Sequence, residues 1–552
     1  MALRFVLILL VCISACRPTS EKEADRIFEK WNHSDTPGVA VAVVKDGKIL
    51  FKKGYGSANL EYGIPVTTST IFHIASVSKQ FTAFAALMLE KEGKLSMDDD
   101  IRKYIPEVPD FGKTITLRHL ATHTSGLRDQ WNLLAIAGWR LDDVITKEQV
   151  LKLISKQQEL NFDPGEEFLY CNTGFTLLAE VVARVSGQTF AEFCSEKIFQ
   201  PLQMNHTLFY DDHEKIVPNR AYSYYPDSSG YKKSVLSYAN VGATSLFTTV
   251  EDLSKWAENF SNPQVGDQSI IDKLNTLAHL NNGETFGGAM GQFIGEYKGV
   301  SEISHGGADA GYRTYFARYP DQNLAVSVFS NDASFESGKF AHQVADLFLE
   351  NLTEKEEKTA EEKPDSTAVK TLSPEVRTKH LGDYEMKNGD ILSVSEKDDQ
   401  LHIQATGEEI YPLVPISDTQ FKLEELEITL EFLEETNALS QTLKVSYSEN
   451  DSDEGKRIEA FDPGSVDLSE FVGTYYSDEL STAYQFVIID SNLVATHSRH
   501  HEIYFTPIKK NVFSGDTWFF GRAEFTRNSA GEVEGLKASA GRTRNMTFRK
   551  TE

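Results

Sequence analysis

Phe72-His73-Ile74-Ala75-Ser76-Val77-Ser78-Lys79-Gln80-Phe81 is the stretch around which the rest of the chain is organised. Beyond it, Val77, Phe81, Phe84, Ala85 and Met88 recur at the spacing of one helix face, and Gly93 supplies a stop. The pattern predicts Ser76 at a helix N-terminus, with Lys79 one turn on and on the same side. A serine hydroxyl is a weak nucleophile until a base takes its proton. A lysine at this spacing reaches it. The helix N-terminus favours negative charge on a developing oxyanion. With burial, it also disfavours the lysine's proton, which prepares the amine to act as a base. Ser229-Gly230-Tyr231-Lys232 repeats the Ser-x-x-Lys letters, but in a Ser/Gly-rich loop with no helix after it.

Other stretches bear on the same chemistry. Leu117 to Leu127, containing Arg118-His119-Leu120-Ala121-Thr122-His123-Thr124-Ser125-Gly126, reads as a capped short helix ending in a glycine turn. His119 and His123 stand at i, i+4, but without a His-Glu-x-x-His pattern or a third ligand they read as hydrogen-bonded structural residues. Tyr170-Cys171-Asn172 precedes an apolar helical stretch from Phe175 to Val185. A loop of that kind holds a phenol and an amide toward a cleft, one to shuttle a proton and the other to bind a carbonyl or a lysine. Tyr238-Ala239-Asn240 has the same letters in a weaker context. Gly242 to Trp256 reads as a strand and turn entering a helix capped by Thr249. His305-Gly306-Gly307-Ala308 leads to Arg313 and a strand from Thr314 to Tyr319. Adjacent strand glycines mark close approach by another backbone or a ligand, and such an edge offers an N–H to an oxyanion.

The chain has 552 residues, a formal net charge of -27, 40% hydrophobic and 25% charged residues. Its acidity argues against nucleic-acid binding and against attraction to anionic head groups. Residues 1–16 read as a lipoprotein-type signal peptide: Arg4, an apolar run from Phe5 to Ile13 too short to span a bilayer, then Ile13-Ser14-Ala15-Cys16. Cys16 is then the lipidated mature N-terminus, the protein is exported to a bacterial envelope or periplasm, and the lipid is its only membrane attachment. Cys171 and Cys194 are the remaining cysteines; they make no disulfide framework, although one bridge between them is open. Residues 17–24 read as a tether and 25–350 as the principal domain. The charged stretch 351–372 reads as a linker, followed by β-units over 373–462 and 463–552. These units form an internal repeat: Leu381-Gly382-Asp383-Tyr384 matches Val472-Gly473-Thr474-Tyr475, Phe421 matches Phe513, and Glu431-Phe432 matches Glu524-Phe525. Each fits a small antiparallel barrel or sandwich. His497, His500 and His501 are spaced as turn histidines rather than as metal ligands.

Taken together and in this order, Ser76-x-x-Lys79, Thr122-His123-Thr124-Ser125-Gly126, Tyr170-x-Asn172 and His305-Gly306-Gly307 resemble the serine hydrolase family of class C β-lactamases, D-alanyl-D-alanine carboxypeptidases, D-aminopeptidases and related esterases. No Gly-x-Ser-x-Gly elbow is present. The resemblance covers roughly residues 25 to 350. It implies an α/β fold: an antiparallel sheet flanked by helices, plus a helical lobe, here followed by two small all-β units. It implies Ser76 as the acylated nucleophile, Lys79 and Tyr170 as base and proton relay, and Asn172 as a positioning residue. Oxyanion donors would be the N–H groups of Ser76 and Ala308, beside Gly307. His305 stands where many relatives carry the lysine of Lys-Thr-Gly, which weakens carboxylate anchoring there and leaves Arg313 as a candidate anchor. The paired β-units more loosely resemble those appended to D-aminopeptidases. The expectation is an exported serine hydrolase that uses no cofactor or metal and acts on a D-amino-acid peptide or a small ester. The alternative is a non-turnover envelope protein that binds a β-lactam or peptide in the same cleft.

Overall fold

The computed structural model describes residues 17–353 and 372–551, apart from 388, 390, 406–409, 424–427, 437–438 and 449–450. The signal peptide, Cys16 and most of the charged linker lie outside the described residues. The described residues form two compact units, one up to residue 353 without 136–138, the other from residue 372 together with 136–138. Among the described residues no helix is long and apolar enough to cross a membrane.

The first unit is built on a seven-stranded sheet, every neighbouring pair antiparallel. Its spatial order is Gly288–Ala289, Gln292–Tyr297, Val300–Asp309, Tyr312–Tyr319, Leu324–Ser330, Val39–Lys45, Lys48–Tyr55. The Asp46-Gly47 turn read from the sequence joins the last two strands, with both residues at positive φ (49° and 69°) as a tight hairpin turn requires. Val39–Lys45 pairs with Leu324–Ser330 in unbroken register from Val39 opposite Ser330 to Lys45 opposite Leu324. The N-terminal hairpin is therefore inserted beside strands that arrive nearly three hundred residues later.

Val-Ala-Val-Ala-Val-Val is apolar at every position because both faces of its strand are covered. Ala40, Ala42 and Val44 face a large core containing Phe72, Val77, Phe81, Phe84 and Trp256. Val39, Val41 and Val43 face a second core with Phe28, Tyr55, Phe335 and Val344. The helix Lys79–Lys91 sits in the first core, ten of its residues buried, and ends at Gly93 with φ +70°. Phe81 stacks on Trp256 at 4.3 Å, and Trp256 Nε1 donates to Gln80 Oε1 at 2.7 Å. Thr249 caps the helix Val250–Ser261, as its sequence context indicates, by accepting from the Asp252 N–H.

Some readings require correction. Residues 17–24, read as a tether, are helical and make up the greater part of the helix Arg17–Ile27. Their polar letters conceal one apolar side: Ala24 is buried, and Phe28 follows just past the helix. Cys171 and Cys194 are both buried free thiols. Cys171 Sγ instead donates to the Leu127 carbonyl at 3.3 Å. Leu372, assigned to the linker, already belongs to the core of the first β-unit.

In the second unit, strands from Gly473–Ser477 to Thr543–Lys550 close into an eight-stranded barrel. The preceding sheet runs from Ile410–Pro412 at one edge to Val414–Pro415 at the other. Leu413 alone separates those two segments, so the sheet wraps round in the same manner, with one strand broken where its partner Ile503–Lys509 in the second copy is continuous. The repeat extends to side chains. Tyr384 and Tyr475 are each fully buried. Each donates its hydroxyl to the carbonyl four residues earlier, His380 at 2.9 Å and Phe471 at 2.8 Å. Tyr475→Phe removes this bond inside the barrel core and should cost about 1 kcal/mol. Calorimetry of the full chain should place that loss in one transition, and an unchanged thermogram would show that the bond contributes nothing.

Candidate active site

Ser76 lies on a single 3-10 turn, Ala75–Ser78, that runs directly into the helix Lys79–Lys91. Within 71–80 it is the one residue not buried. Ala75 has φ +47°, a backbone region that costs a non-glycine residue about 1–3 kcal/mol and tends to occur at functional sites. Its N–H donates to His73 Nδ1 at 3.2 Å. Burial pushes the His73 pKa down to about 3, with Arg220's charge adding, so its ring is a neutral acceptor beneath the turn.

Lys79 is fully buried. Its Nζ lies 3.0 Å from Ser76 Oγ, 2.9 Å from Asn172 Oδ1 and 2.7 Å from the carbonyl of Ala243. The two carbon-bound oxygens only accept, so they hold two N–H bonds in either protonation state. The third direction faces Ser76. A neutral amine presents a lone pair there to the serine proton, and an ammonium presents a donor. The ring of Tyr170 lies beside the amine, its centroid 4.8 Å from Nζ.

Asn172 opens the helix Asn172–Ser186. Its amide is oriented by Asp129, which is fully buried. Asp129 Oδ2 accepts from the Asn172 backbone N–H at 2.6 Å and from Nδ2 at 2.9 Å. With its nitrogen held there, Asn172 can turn only its oxygen toward Lys79. Asp129 was not found by sequence reasoning; it is two residues past Leu127, and its partner is 43 positions away.

The His-containing stretch and the Tyr170 loop form one construction. Leu169 N–H donates to the His123 carbonyl at 3.0 Å, Cys171 N–H to His123 Nδ1 at 2.9 Å, and Thr173 Oγ1 to the Arg128 carbonyl at 2.7 Å. The His123 ring stacks on Tyr170 with centroids 4.2 Å apart. His119 serves elsewhere, completing the capping box of the helix Leu117–Ala121 with Thr116. Both histidines are hydrogen-bonded within the scaffold. The decoys separate as well. Ser229 and Lys232 lie on an exposed hairpin, where Lys232 pairs with Asp227. Tyr238 is buried and donates to Asp309 Oδ1 at 2.9 Å.

The strand Val300–Asp309 meets the Ser76 turn at Gly307. A Cβ there would lie 2.4 Å from the Ile74 carbonyl and 2.3 Å from Thr314 Oγ1, so only glycine allows the approach. Gly306 meets nothing closer than 3.7 Å; of the adjacent pair, one is demanded by packing. Thr314 Oγ1 donates to the Ile74 carbonyl at 2.9 Å and ties the next strand to the same turn. Ala308 therefore follows the residue in contact with the turn that carries the Ser76 N–H.

His305 is buried. Its Nδ1–H donates to the Gly306 carbonyl, which leaves Nε2 as the lone-pair nitrogen, without a hydrogen-bond partner among the described residues. Burial pushes its pKa down to about 3, and the Lys79 charge pushes the same way. It is therefore no surrogate for a cation. Arg313 Nη1 donates to the carbonyls of Ala310 (3.1 Å) and Tyr312 (2.8 Å). Burial lowers its pKa while Asp309 opposes the shift. Asp309 accepts from Tyr238 and Thr244. Burial raises its pKa, although those bonds and the charges of Lys79 and Arg313 pull it down. Thr244 is also 3.3 Å from His73 Nε2, so Asp309, Thr244 and His73 form a chain under the Ser76 turn that no sequence motif marked.

The family model described as Beta-lactamase matches residues 24–349. The chain is 26% identical over 436 residues to a penicillin-binding protein of Bacillus subtilis, covering 75% of this chain and 94% of that protein. It is 29% identical over 315 residues to a D-aminopeptidase of Brucella anthropi, covering 55% of this chain and 58% of that protein. The fold is similar to that of the octameric penicillin-binding protein homologue from Pyrococcus abyssi, with TM-score 0.56 and 25% identity over 79% of this chain and 99% of that one.

Two outcomes are expected from this geometry. Asp129→Asn removes one acceptor and releases the Asn172 amide; kcat should fall by roughly tenfold or more with KM little changed, since the lost contact acts through Lys79. An equal rise in KM at constant kcat would place Asp129 in substrate binding instead. The second concerns acid. His73 and His305 have folded pKa values of about 3, below the unfolded value of about 6.5. The unfolded chain binds more protons between those limits. Stability should therefore fall as pH drops from 6.5 toward 3, by up to about 1.4 kcal/mol per pH unit for each histidine. Thermal unfolding of His305→Gln should show a shallower dependence by one proton, and an unchanged slope would mean that His305 is solvated.

Proposed function

From the premise that this chain belongs to the Beta-lactamase family and is a serine hydrolase, we propose that it cleaves small amides or esters, foremost D-amino-acid peptides and amides, through an acyl-enzyme on Ser76. The observation that carries this reading is the contact of the buried Lys79 Nζ with Ser76 Oγ at 3.0 Å. Lys79 takes the serine proton as Oγ attacks the carbonyl. Negative charge develops on the carbonyl oxygen between the N–H groups of Ser76 and Ala308. Tyr170, beside Lys79, passes a proton to the leaving group. Water then attacks the ester, with the Lys79–Tyr170 pair as base, and Ser76 is regenerated.

A preference among substrates follows from charge. His305 is neutral, and Arg313 spends donors on backbone carbonyls. A substrate carboxylate set against the His305 ring would meet no cation in that ring, and an unpaired buried charge is costly. Amides, esters and peptides read from their amino end fit better than C-terminal dipeptides bearing a free carboxylate. The D-aminopeptidase relative supports the same choice.

Steady-state hydrolysis should be measured on a D-alanyl anilide, a D-Ala-D-Ala peptide, a short-chain nitrophenyl ester and a chromogenic cephalosporin. The anilide or the ester should turn over, with loss of about a thousandfold or more in Ser76→Ala and in Lys79→Ala. Faster turnover of the D-Ala-D-Ala peptide would overturn the preference. A Ser76-dependent burst without steady turnover on every substrate would assign a covalent binding protein instead.

A further inference from the structure

The strand Tyr312–Tyr319 carries another cation on the face that bears Thr314 and Phe316. Arg318 is only 6% exposed. Its guanidinium lies on the Phe260 ring, with Cζ 3.5 Å from the ring centroid. Nη2 donates to Asn275 Oδ1 at 3.1 Å and to Gln292 Oε1 at 2.9 Å. Gln292 Nε2 in turn donates to the Leu274 carbonyl at 3.0 Å and to Asn275 Oδ1 at 2.7 Å, so its oxygen is held toward the arginine. Both partners of Arg318 are neutral amides. Burial, with no neighbouring charge contributing, pushes its pKa down to about 9, and it remains a cation at pH 7.

Buried cations are ordinarily paired. Among the described residues Arg318 has no carboxylate partner, and its Nε and Nη1 donors have no protein acceptor. Arg318 lines a cavity of about 350 Å³, together with Ser261, Gln268, Ile271 and Asn275. Glu258 is the one acid among the lining residues, and its charge does not register on Arg318. The volume is that of a small-ligand pocket. Four residues along the strand, about 13 Å away, Thr314 holds the nucleophile turn.

We propose that this cavity is a binding site, separate from the Ser76 cleft, for a small molecule presenting a carboxylate or phosphate oxyanion to the Nε and Nη1 donors of Arg318. The neutral amides around the guanidinium position it without neutralising it. The proposal does not depend on the hydrolase reading, because the site shares no residue with the catalytic cleft.

Calorimetric titration of the full chain with inorganic phosphate, acetate and D-alanine tests it. Saturable binding of at least one probe is expected, equal in wild type and Ser76→Ala, and weakened by about tenfold or more in Arg318→Gln. Phosphate without the carboxylates assigns a phosphate-bearing ligand, and either carboxylate without phosphate assigns the other source. No saturable binding of any probe would mean that water alone satisfies the guanidinium, and would overturn the proposal. So would undiminished binding in Arg318→Gln. If that variant does not fold, Gln268→Trp decides, since Gln268 is exposed and a large ring there closes the mouth. Binding must then fall, and unchanged binding would refute the site.

Discussion

A lysine amine with no exposure to solvent is the constraint on which the catalytic unit depends. Removing such a group from water is costly unless every polar direction is met. Lys79 is met from three separate parts of the chain: the turn that begins its own helix, the first residue of the Asn172–Ser186 helix and the Ala243 carbonyl. None of these can shift without leaving a buried polar group unpaired. Much of the surrounding architecture can be understood as holding those three oxygens in place.

Each support has its own physical cause. Asp129 orients Asn172 because a carboxylate accepts twice from one residue and leaves the amide no second pose. Glycine at 307 lets a strand reach the Ser76 turn, and Thr314 then ties that turn to the sheet. His73 accepts from the strained Ala75 N–H from below. The strain in that backbone is sustained by packing on both sides, as expected where a reactive group must be presented rather than buried. His305 stands beside Tyr170 as a neutral ring, its Nδ1–H held by the Gly306 carbonyl.

The β-units show the same logic without chemistry. Tyr384 and Tyr475 are equivalent letters ninety-one positions apart in sequence, and they make equivalent hydrogen bonds to carbonyls four residues back. Phe421 and Phe513 are both fully buried at matching strands. A repeat visible as a few shared residues is thus a repeat of core positions, because those positions are the ones that a small barrel cannot vary freely.

Local patterns in the sequence determined much of this protein. Helical periodicity after Ser76, the Asp46-Gly47 turn, the cap at Thr249 and the alternating strands of the C-terminal third all act over a few residues, and all were legible. The sequence also singled out Ser76, Lys79, Tyr170 and Asn172, which the structure gathers around one amine. Tertiary structure alone decided the rest. It placed the first hairpin beside the last strands, matched Asp129 to Asn172, chained His73 to Asp309 through Thr244, and left Arg318 without a counter-ion. It also placed the polar stretch 17–24 in a helix that buries Ala24. These features depend on distances between residues tens to hundreds of positions apart, and periodicity carries no information about which distant surfaces meet.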